Sequence, residues 1–555
     1  MTSHVSVRDG SVQDDQRLDP PARRSGRLAT FLAPWWVFAP TVGAVLTALM
    51  AVRLFLPGPI GMADNGDGAR RMCAADVVAQ ADRGSTLFFK FVNLTYTHAA
   101  PGICNPAQTY PGSGAWLLHL AVPLSHWWGL SGDFDLRALA GLFCLLIGLA
   151  ATVFAAALRG GLPARSLICL LLFVVVADAA FAGYAASPYS ESAGLLGILL
   201  ATAGATHLGG SVRARAGGLL VFTAGAVLAV AAKAQSVSMV LPFVALLLTV
   251  RIPLGRARGA VAGRLPALLA AAVIVTTGVV TTNSQVPEFK EINPTEAVFV
   301  GLLGKSPDPA ASAVELGLPA DFAKYAGRSW WVPQPPQQDP RWPRVRDRMN
   351  YPNIAWFLVR NPGIASRIAL SALDDFGAAR PDYLGSYPVG AQQPPGARES
   401  RIAVYSSVVQ DVGGGLLLVV LGIGAVGLWW RRGDGDDRRR AFLAAAAALA
   451  ALALVQFFTA AYGEAIENTK HMVFSIFATG LVFVLAAAAV FCGRGAVAPA
   501  GDELPAEGEL PPPRGQADGA DGADGVEGRE GSGGSGGSEE SAGGSPSSSS
   551  RASRR

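Results

Sequence analysis

Residues 35–56 read WWVFAPTVGAVLTALMAVRLFL, an apolar run long enough to predict a helix across about 30 Å of hydrocarbon. Comparable runs recur along most of the chain, in which 51% of the 555 residues are hydrophobic and 15% are charged. This composition predicts an all-α polytopic membrane protein. A long polar arm precedes the first run, and that placement argues against a cleaved signal peptide.

Nine further spans are predicted from hydropathy, at residues 137–158, 163–185, 190–209, 216–233, 236–250, 264–282, 408–430, 441–462 and 470–492. Basic connectors that the positive-inside rule assigns to the cytoplasm contain Arg23, Arg24, Arg27, Arg159, Arg165, Arg213, Arg215, Arg251, Arg256, Arg258 and Arg431 to Arg440. Ten spans satisfy the rule if the apolar stretch 114–130 is a re-entrant or interfacial helix. If that stretch crosses the membrane, the count becomes eleven.

The predicted organisation has five parts and places both termini in the cytoplasm. They are a disordered cytoplasmic arm at 1–32, an N-terminal membrane module at 33–282 with a first outer loop at 57–113, a large outer region at 283–405, C-terminal membrane helices at 406–492, and a disordered cytoplasmic tail at 493–555. The net charge of +4 is small, and the arginines lie in short clusters between spans. Nucleic acid is therefore not an expected partner, whereas the lipid bilayer is.

The first acidic pair after the opening span lies in Asp64-Asn65-Gly66-Asp67. Two carboxylates three residues apart on an Asn-Gly turn can converge on one point, or one can brace the turn while the other faces a site. Either arrangement suits a general base that takes a proton from a hydroxyl group. The alternative is an ordinary solvated turn, and the residues leave open whether Asp64 or Asp67 is the base.

Basic residues are unexpected on the outer side, yet the first outer loop contains Arg70 and Arg71. Guanidinium groups bind phosphate through paired hydrogen bonds, so a lipid phosphate is a candidate partner. Their alternative role is to neutralise acidic residues of the same loop. Lys470 and His471, in the short turn that begins at Glu464, are further candidate phosphate contacts, with anchoring of the membrane helix as the competing interpretation.

Two other spans carry polar residues that need a partner or a function, because a charge inside a membrane costs roughly 2.5 to 3.5 kcal/mol. These residues are Asp178, and Lys233 with Gln235. An ion pair between Asp178 and Lys233 is the structural alternative to a functional role. Glu191 begins a span directly after a turn, where it either caps the helix or contributes to a site.

The five cysteines divide into two groups. Cys144, Cys169 and Cys492 fall in or beside apolar spans and are expected to pack as small hydrophobic residues. Cys73 and Cys104 share the predicted outer loop, where an oxidising environment permits a disulfide. Neither spacing nor nearby histidines suggest a zinc site, so no metal ligands are predicted.

The large outer region is rich in proline and aromatic residues, which can stack on sugar rings or anchor loops at the lipid interface. The aromatic residues considered are Trp330, Trp331, Trp342, Tyr351, Trp356 and Tyr383. They fit a carbohydrate site and anchoring at the interface equally, so both interpretations stay open.

Several stretches resemble the GT-C superfamily of multi-spanning glycosyltransferases, and in particular its bacterial cell-surface glycan hexosyltransferase branch. They are Asp64-Asn65-Gly66-Asp67, Tyr110-Pro111-Gly112-Ser113-Gly114, Ser187-Pro188-Tyr189-Ser190-Glu191, Asn361-Pro362 and Tyr383-Leu384-Gly385-Ser386-Tyr387. The similarity covers roughly residues 33 to 492. The first loop lacks the adjacent Asp-Glu pair of protein mannosyltransferases.

This resemblance implies a GT-C-like bundle of about 10–11 helices and an inverting transfer of a hexosyl or pentosyl group on the extracytoplasmic face. The implied partners are a polyprenyl-phosphate-linked sugar donor and a cell-envelope glycan, lipid or protein acceptor. Asp67 or Asp64 would be the base, and Arg70, Arg71, Lys233, Lys470 and His471 would bind the donor phosphate. Tyr110, Tyr189, Glu191 and Gln235 would contact the substrate. No obligatory cofactor is implied, with a divalent cation as the open alternative.

Two other classes fit the same composition. A lipid or glycan transporter would also have many spans and buried charges, although the chain lacks a convincing internal repeat. A noncatalytic membrane partner of a wall-assembly complex would resemble an enzyme that had lost its base.

Overall fold

The computed structural model describes residues 34–79, 87–105, 109, 111–252 and 263–492. Seven helices in these ranges are long and apolar enough to cross a membrane. They are Trp35–Phe55, Leu136–Ala157, Val212–Val230, Leu265–Asn283, Gly415–Gly433, Asp437–Gly463 and Asn468–Phe491, the last consisting of Asn468–His471 and Val473–Phe491. Shorter apolar helices run over Leu162–Val176, Glu191–Ala205 and Ala234–Leu247. An all-α polytopic membrane fold is therefore confirmed.

Two of the ten predicted spans differ in form. The helix predicted at 163–185 ends at Val176, and residues 182–186 form a 3-10 turn. The span predicted at 408–430 is split into Val404–Val412 and Gly415–Gly433, with Gly413 at a positive φ of 58° between them. The first break lies where Asp178 binds the start of helix 404–412: its carboxylate accepts the amide hydrogens of Tyr405 at 2.9 Å and Ser406 at 3.1 Å. The suggested Asp178–Lys233 ion pair is therefore wrong.

The first two long helices are antiparallel neighbours that pack through small residues. A side chain at Gly43 would overlap Thr152, and one at Gly148 would overlap Thr47. Such close approach is typical of helix contacts in membranes. Lipid tails are as apolar as the helix side chains, so close packing rather than burial of apolar surface holds the helices together. Because the two helices run in opposite directions, residues 56–135 leave and return at the same end of the bundle.

Residues 113–127 form a 15-residue helix within this excursion. At its start the carbonyl oxygen of Gly114 accepts a bond from Arg71 at 2.9 Å, and near its end Ser125 bonds the amide of Asp135 at 2.9 Å. Leu136, which begins the next long helix, bonds back to Leu94 at 2.8 Å. Both ends of the helix are thus bonded to other parts of the segment between the first two long helices, which is called the lobe below. This placement favours ten spans over eleven.

Small strands tie this lobe together. Gly61–Met62 pairs antiparallel with Leu384–Ser386, and a three-stranded antiparallel sheet joins Val77–Val78, Thr95–His98 and Phe134–Asp135 in that order. Cys73 and Cys104 form a disulfide with 5.1 Å between their Cα atoms. The acidic turn that follows Met62 is therefore held from two sides.

The large region predicted at 283–405 folds into short helices rather than a plain loop. Its α-helices are Pro287–Glu296, Pro309–Glu315, Trp342–Val345, Tyr351–Arg360 and Pro362–Gly377, with a π-helix over Ala297–Leu303. The 3-10 helices of the described chain are Cys73–Ala75, Ala182–Ala186, Ala234–Met239, Ala320–Tyr325, Pro336–Gln338, Arg346–Arg348 and Val389–Ala391, and the remaining short α-helix is Gly68–Met72.

The two ends of the bundle differ in chemistry. At one, called the site end below, the first outer loop, the large outer region and the turn that begins at Glu464 meet: the Ala63 amide donates to the carbonyl of Tyr383 at 3.0 Å, and the Asn65 side chain donates to Glu467 at 2.6 Å. At the other, called the basic end, the arginine-rich connectors meet, for example where Arg215 pairs with Asp437 at 2.7 Å. The predicted arm 1–32 and tail 493–555 lie outside the described residues.

Candidate functional site

A polar pocket at the site end is built from six separate segments of the chain. Its charged lining residues are Asp67, Arg71, Glu191, Lys233, Glu464, Glu467, Lys470 and His471. Tyr189, Phe289 and Trp331 contribute aromatic surface. The pocket has a free volume of about 100 Å³, which suits a phosphate and its immediate neighbours.

The acidic turn gives its two carboxylates different tasks. Asp64 Oδ1 accepts the amide hydrogens of Gly66 and Gly68, both at 2.9 Å, and the Tyr189 hydroxyl lies 3.2 Å away. Burial raises the pKa of Asp64, and the bonds it accepts partly offset that rise. Asp64 thus braces the turn, whereas Asp67 lines the pocket with its side chain 47% exposed.

Tyr189 connects the turn to the neighbouring segment. Its hydroxyl accepts the amide hydrogen of Asn65 at 2.6 Å and lies 2.8 Å from Asn65 Oδ1. Burial and the nearby Asp64 carboxylate raise the pKa of Tyr189 well above the ordinary tyrosine value, so this phenol is a hydrogen-bonding group rather than a base. Its ring also lies under Lys470, whose Nζ is 5.1 Å from the ring centre.

Lys470 is buried and is shared between two carboxylates. Its Nζ lies 3.3 Å from Asp67 Oδ2 and also pairs with Glu467. Glu467 in turn accepts bonds from Asn65 at 2.6 Å and from the Tyr383 hydroxyl at 3.3 Å. One ammonium group therefore joins the first loop to the last turn at the pocket wall.

A second chain of charges runs through Lys233 and His471. Lys233 Nζ lies 3.1 Å from Glu191 Oε1 and 2.8 Å from His471 Nδ1. The same Nδ1 lies 3.1 Å from the amide oxygen of Gln235. An ammonium group only donates and an amide oxygen only accepts, so the two contacts favour opposite tautomers of the imidazole. The other ring nitrogen, Nε2, lies 3.5 Å from Glu464 Oε2.

Glu464 and Glu467 are pocket carboxylates to which the sequence analysis gave no role. Burial raises the pKa of Glu464, while the nearby lysines lower it by a smaller amount. The signal available in the sequence was the crowding of charges into the short turn from Glu464 to His471. What it could not show was that this turn folds against Asp67.

Four predicted residues lie elsewhere or serve another purpose. Arg71 is buried and its Nη atoms donate to the carbonyls of Tyr189, Ser187 and Gly114, which corrects its predicted role as a free phosphate contact. Arg70 lies over the Phe289 ring at 4.6 Å, outside the pocket lining. Gln235 bonds the carbonyl of His471 at 2.7 Å and so positions that residue. Tyr110 lies outside the described residues.

The aromatic residues of the large region divide in the same way. Trp331 lines the pocket and is 58% exposed. Trp342 is buried and donates to Glu291 at 2.9 Å, so it belongs to the core of that region. Trp356 and Tyr351 are exposed away from the polar pocket, and Tyr351 instead lines the groove described next.

A larger and mostly apolar groove of about 910 Å³ adjoins the polar pocket. The two share Ala234, Phe289, Asn293 and Glu464. Leu241, Ile354, Leu358 and Phe458 line the groove, which runs between membrane helices 265–283 and 437–463. An amphiphile could therefore place an apolar chain in the groove and a charged head in the pocket.

No group of three or more His, Cys, Asp or Glu side chains within the described ranges is arranged to hold a metal ion. The family model described as YfdI N-terminal transmembrane domain matches residues 30–497 of the chain. No curated protein and no solved structure matches it.

Proposed function

The chain belongs to the YfdI N-terminal transmembrane domain family, and from this membership and the geometry of the polar pocket we propose that it is a membrane glycosyltransferase. The proposed donor is a sugar linked to polyprenyl phosphate, and the acceptor is a hydroxyl group of a cell-envelope glycan, lipid or protein. Its resemblance to the GT-C superfamily supports the same class of reaction.

The observation that carries this proposal is the adjacency of three chemical features. Lys233 and Lys470 supply positive charge, Asp67 supplies a partly exposed carboxylate, and the apolar groove opens beside them. A lipid-linked phosphate needs the positive charge and the apolar groove, and an attacking hydroxyl group needs the carboxylate. A soluble substrate would have no use for a groove between membrane helices.

In the proposed reaction the acceptor oxygen attacks the anomeric carbon as the bond from that carbon to the phosphate oxygen breaks. The acceptor proton passes to Asp67, and the electron pair of the broken bond leaves on polyprenyl phosphate. Attack opposite the leaving group inverts the configuration. Asp67 is preferred to Asp64 as base because Asp64 Oδ1 is occupied by two backbone amides of its own turn.

The lysines would stabilise the charge that develops on the departing phosphate. Preorganised cations in a buried site act more strongly than in water, and removing a single such group commonly costs 10²- to 10³-fold in rate. Lys470 is buried, and Lys233 is held between Glu191 and His471, so neither has to reorganise during the reaction. With a monophosphate leaving group the proposal requires no metal, which a chelator series would test.

The orientation proposed for the protein places the site end outside the cytoplasm and both termini inside. It rests on the arginine-rich connectors gathered at the basic end and on the positive-inside rule. A cysteine introduced at Asp76, which is exposed at the site end, should react with an impermeant maleimide added to intact cells. Reaction only after permeabilisation would reverse the orientation.

The experiment that tests the function is transfer of radiolabelled sugar from polyprenyl-phosphate donors by membranes with matched amounts of protein. Asp67→Asn should reduce transfer by at least about 10²-fold, as expected for loss of a general base. Asp76→Asn is the matched control, since it removes an exposed carboxylate of the same lobe at a backbone position, φ 53°, that asparagine readily adopts.

An active wild type that is equally active as Asp67→Asn would refute Asp67 as the base. Asp64→Asn tests whether Asp64 braces the turn. Loss of that bracing should lower the thermal stability of the protein as well as the transfer rate. A wild type inactive with every polyprenyl-phosphate sugar tried would refute the proposed donor class.

A further inference from the structure

A second pocket lies at the basic end, away from the proposed catalytic site, and has a volume of about 620 Å³. It lies where helices 212–230 and 437–463 begin and where helices 240–247 and 415–433 end. Its charged lining residues are Arg215, Arg251, Arg431, Arg432, Arg440 and Asp437. Among these described residues positive charge exceeds negative charge by four.

Asp437 organises part of this arginine cluster. Arg215 Nη2 lies 2.7 Å from Asp437 Oδ2, and Arg440 pairs with the other carboxylate oxygen. Arg215 also donates to the carbonyls of Gly210 at 2.8 Å and Arg251 at 3.3 Å. Two guanidinium groups are therefore held in place around the pocket rather than free to sample solvent.

Within the described part of the chain, the remaining arginines of the pocket have no such partner. Arg251, Arg431 and Arg432 take part in no ion pair among the described residues. Three unpaired guanidinium groups beside two oriented ones repel one another, and an anion placed between them would relieve that repulsion. Phosphate matches the planar fork of arginine through paired hydrogen bonds.

The other wall of the pocket is apolar, with Leu246, Leu428 and Ala444 among its lining residues. Trp429 and Trp430 follow Leu428 and are 68% and 44% exposed, as is typical of side chains at the membrane interface. The arginines thus lie at the depth where a lipid headgroup meets its acyl chains. Basic pockets between membrane helices are suited to such headgroups.

We propose that this pocket binds the phosphate headgroup of an anionic phospholipid, with the acyl chains against its apolar wall. The site is independent of the glycosyltransferase proposal, because none of its residues lines the polar pocket or the groove at the site end.

The full-length protein, purified in a neutral detergent, would be titrated with dioleoyl cardiolipin, dioleoyl phosphatidylglycerol or dioleoyl phosphatidylcholine, and bound lipid counted by native mass spectrometry. The anionic lipids should bind at least about tenfold more tightly than phosphatidylcholine. Arg431→Gln with Arg432→Gln should lower the affinity for the anionic lipids by roughly 25-fold, at about fivefold for each arginine, and so remove the preference over phosphatidylcholine.

The matched control is Arg213→Gln with Arg264→Gln, which removes the same charge from exposed positions of the same end outside the pocket. It should leave the preference within about twofold of wild type. Arg431→Lys with Arg432→Lys keeps the charge and the positive-inside signal but loses the paired hydrogen bonds, and should give an intermediate loss.

Equal losses in the pocket variant and the control would overturn the site, since they would mean that only the net charge of this end matters. Inorganic phosphate and pyrophosphate form a separate arm. If either displaces bound anionic lipid at micromolar concentration, or binds the wild type while no lipid is enriched, the ligand is a soluble phosphate and the lipid source is wrong.

Discussion

Removal of one hydroxyl group, by Tyr189→Phe, should break the hydrogen bonds between the acidic turn 64–67 and the segment that contains residue 189, without leaving a cavity. The phenol has one proton and two lone pairs. It accepts the Asn65 amide hydrogen at 2.6 Å and can donate to Asn65 Oδ1 at 2.8 Å or to Asp64 Oδ1 at 3.2 Å. The substitution therefore leaves a half-buried amide without its acceptor and removes one donor from a half-buried carbonyl or carboxylate oxygen.

Leaving such groups unsatisfied costs about 1–3 kcal/mol. If that energy is lost from the turn that presents Asp67, transfer should fall by roughly 5- to 150-fold, since each 1.4 kcal/mol is a factor of ten. The pKa of Asp64 should rise further, because the hydrogen bond from Tyr189 lowers it in the wild type.

The matched control is Tyr184→Phe, five residues earlier. Tyr184 is also buried, but its hydroxyl has no hydrogen-bond partner among the described residues. This substitution should leave both initial rate and melting temperature unchanged or slightly improved. Initial transfer rates and thermal unfolding of the purified proteins would be compared, and a Tyr189→Phe protein that transfers sugar within twofold of wild type would refute this account of the turn.

Three further predictions concern stability. Burial raises the pKa of Glu464 above the ordinary value of 4.5, so ionisation of this carboxyl group lowers the stability of the protein as the pH rises from about 4.5 through the raised pKa. Glu464→Gln should therefore raise the melting temperature at about pH 8, and the gain should vanish near pH 4. Arg53 and Glu399 form a buried ion pair, so Glu399→Gln should lower the free energy of unfolding by about 3–5 kcal/mol. Arg53→Met combined with Glu399→Leu should recover part of that loss, because no unpaired charge is left buried. Equal melting temperatures for the wild type and Glu399→Gln would argue against the pair. A Cβ on Gly197 would overlap the backbone of the facing helix, so Gly197→Ala should lower the melting temperature. A Cβ on Gly217 meets nothing within 4 Å, so the control Gly217→Ala should raise the melting temperature slightly. The opposite order of melting temperatures would contradict this packing.

Much of the fold was predictable from hydropathy alone. Residues 35–56 and 137–158 were predicted as spans and form helices Trp35–Phe55 and Leu136–Ala157. One of the errors falls where a carboxylate binds backbone amides within the bundle. The hydropathy of residues 163–185 gave no sign that the helix would stop at Val176, because the partner of Asp178 is a helix more than 200 residues away.

The candidate site was predictable only in part. Asp67, Lys233, Lys470 and His471 were selected because charges at membrane boundaries are unusual, and the structure brings these four to one pocket. Arg71 was selected by the same reasoning but is occupied by three backbone carbonyls. A local pattern identifies which side chains are costly to bury, but it does not identify which atoms satisfy them.

The sequence by itself determined the membrane-spanning class and the concentration of arginines in one set of connectors, because hydropathy and charge act on each segment separately. Only the tertiary structure decided that Asp67 faces Lys470 across 403 positions of the chain while Asp64 turns back to brace its own loop. It also decided that Lys233 pairs with Glu191 rather than Asp178. These choices depend on distances between helices that no local pattern specifies, and a few ångströms separate a structural carboxylate from one that faces a substrate.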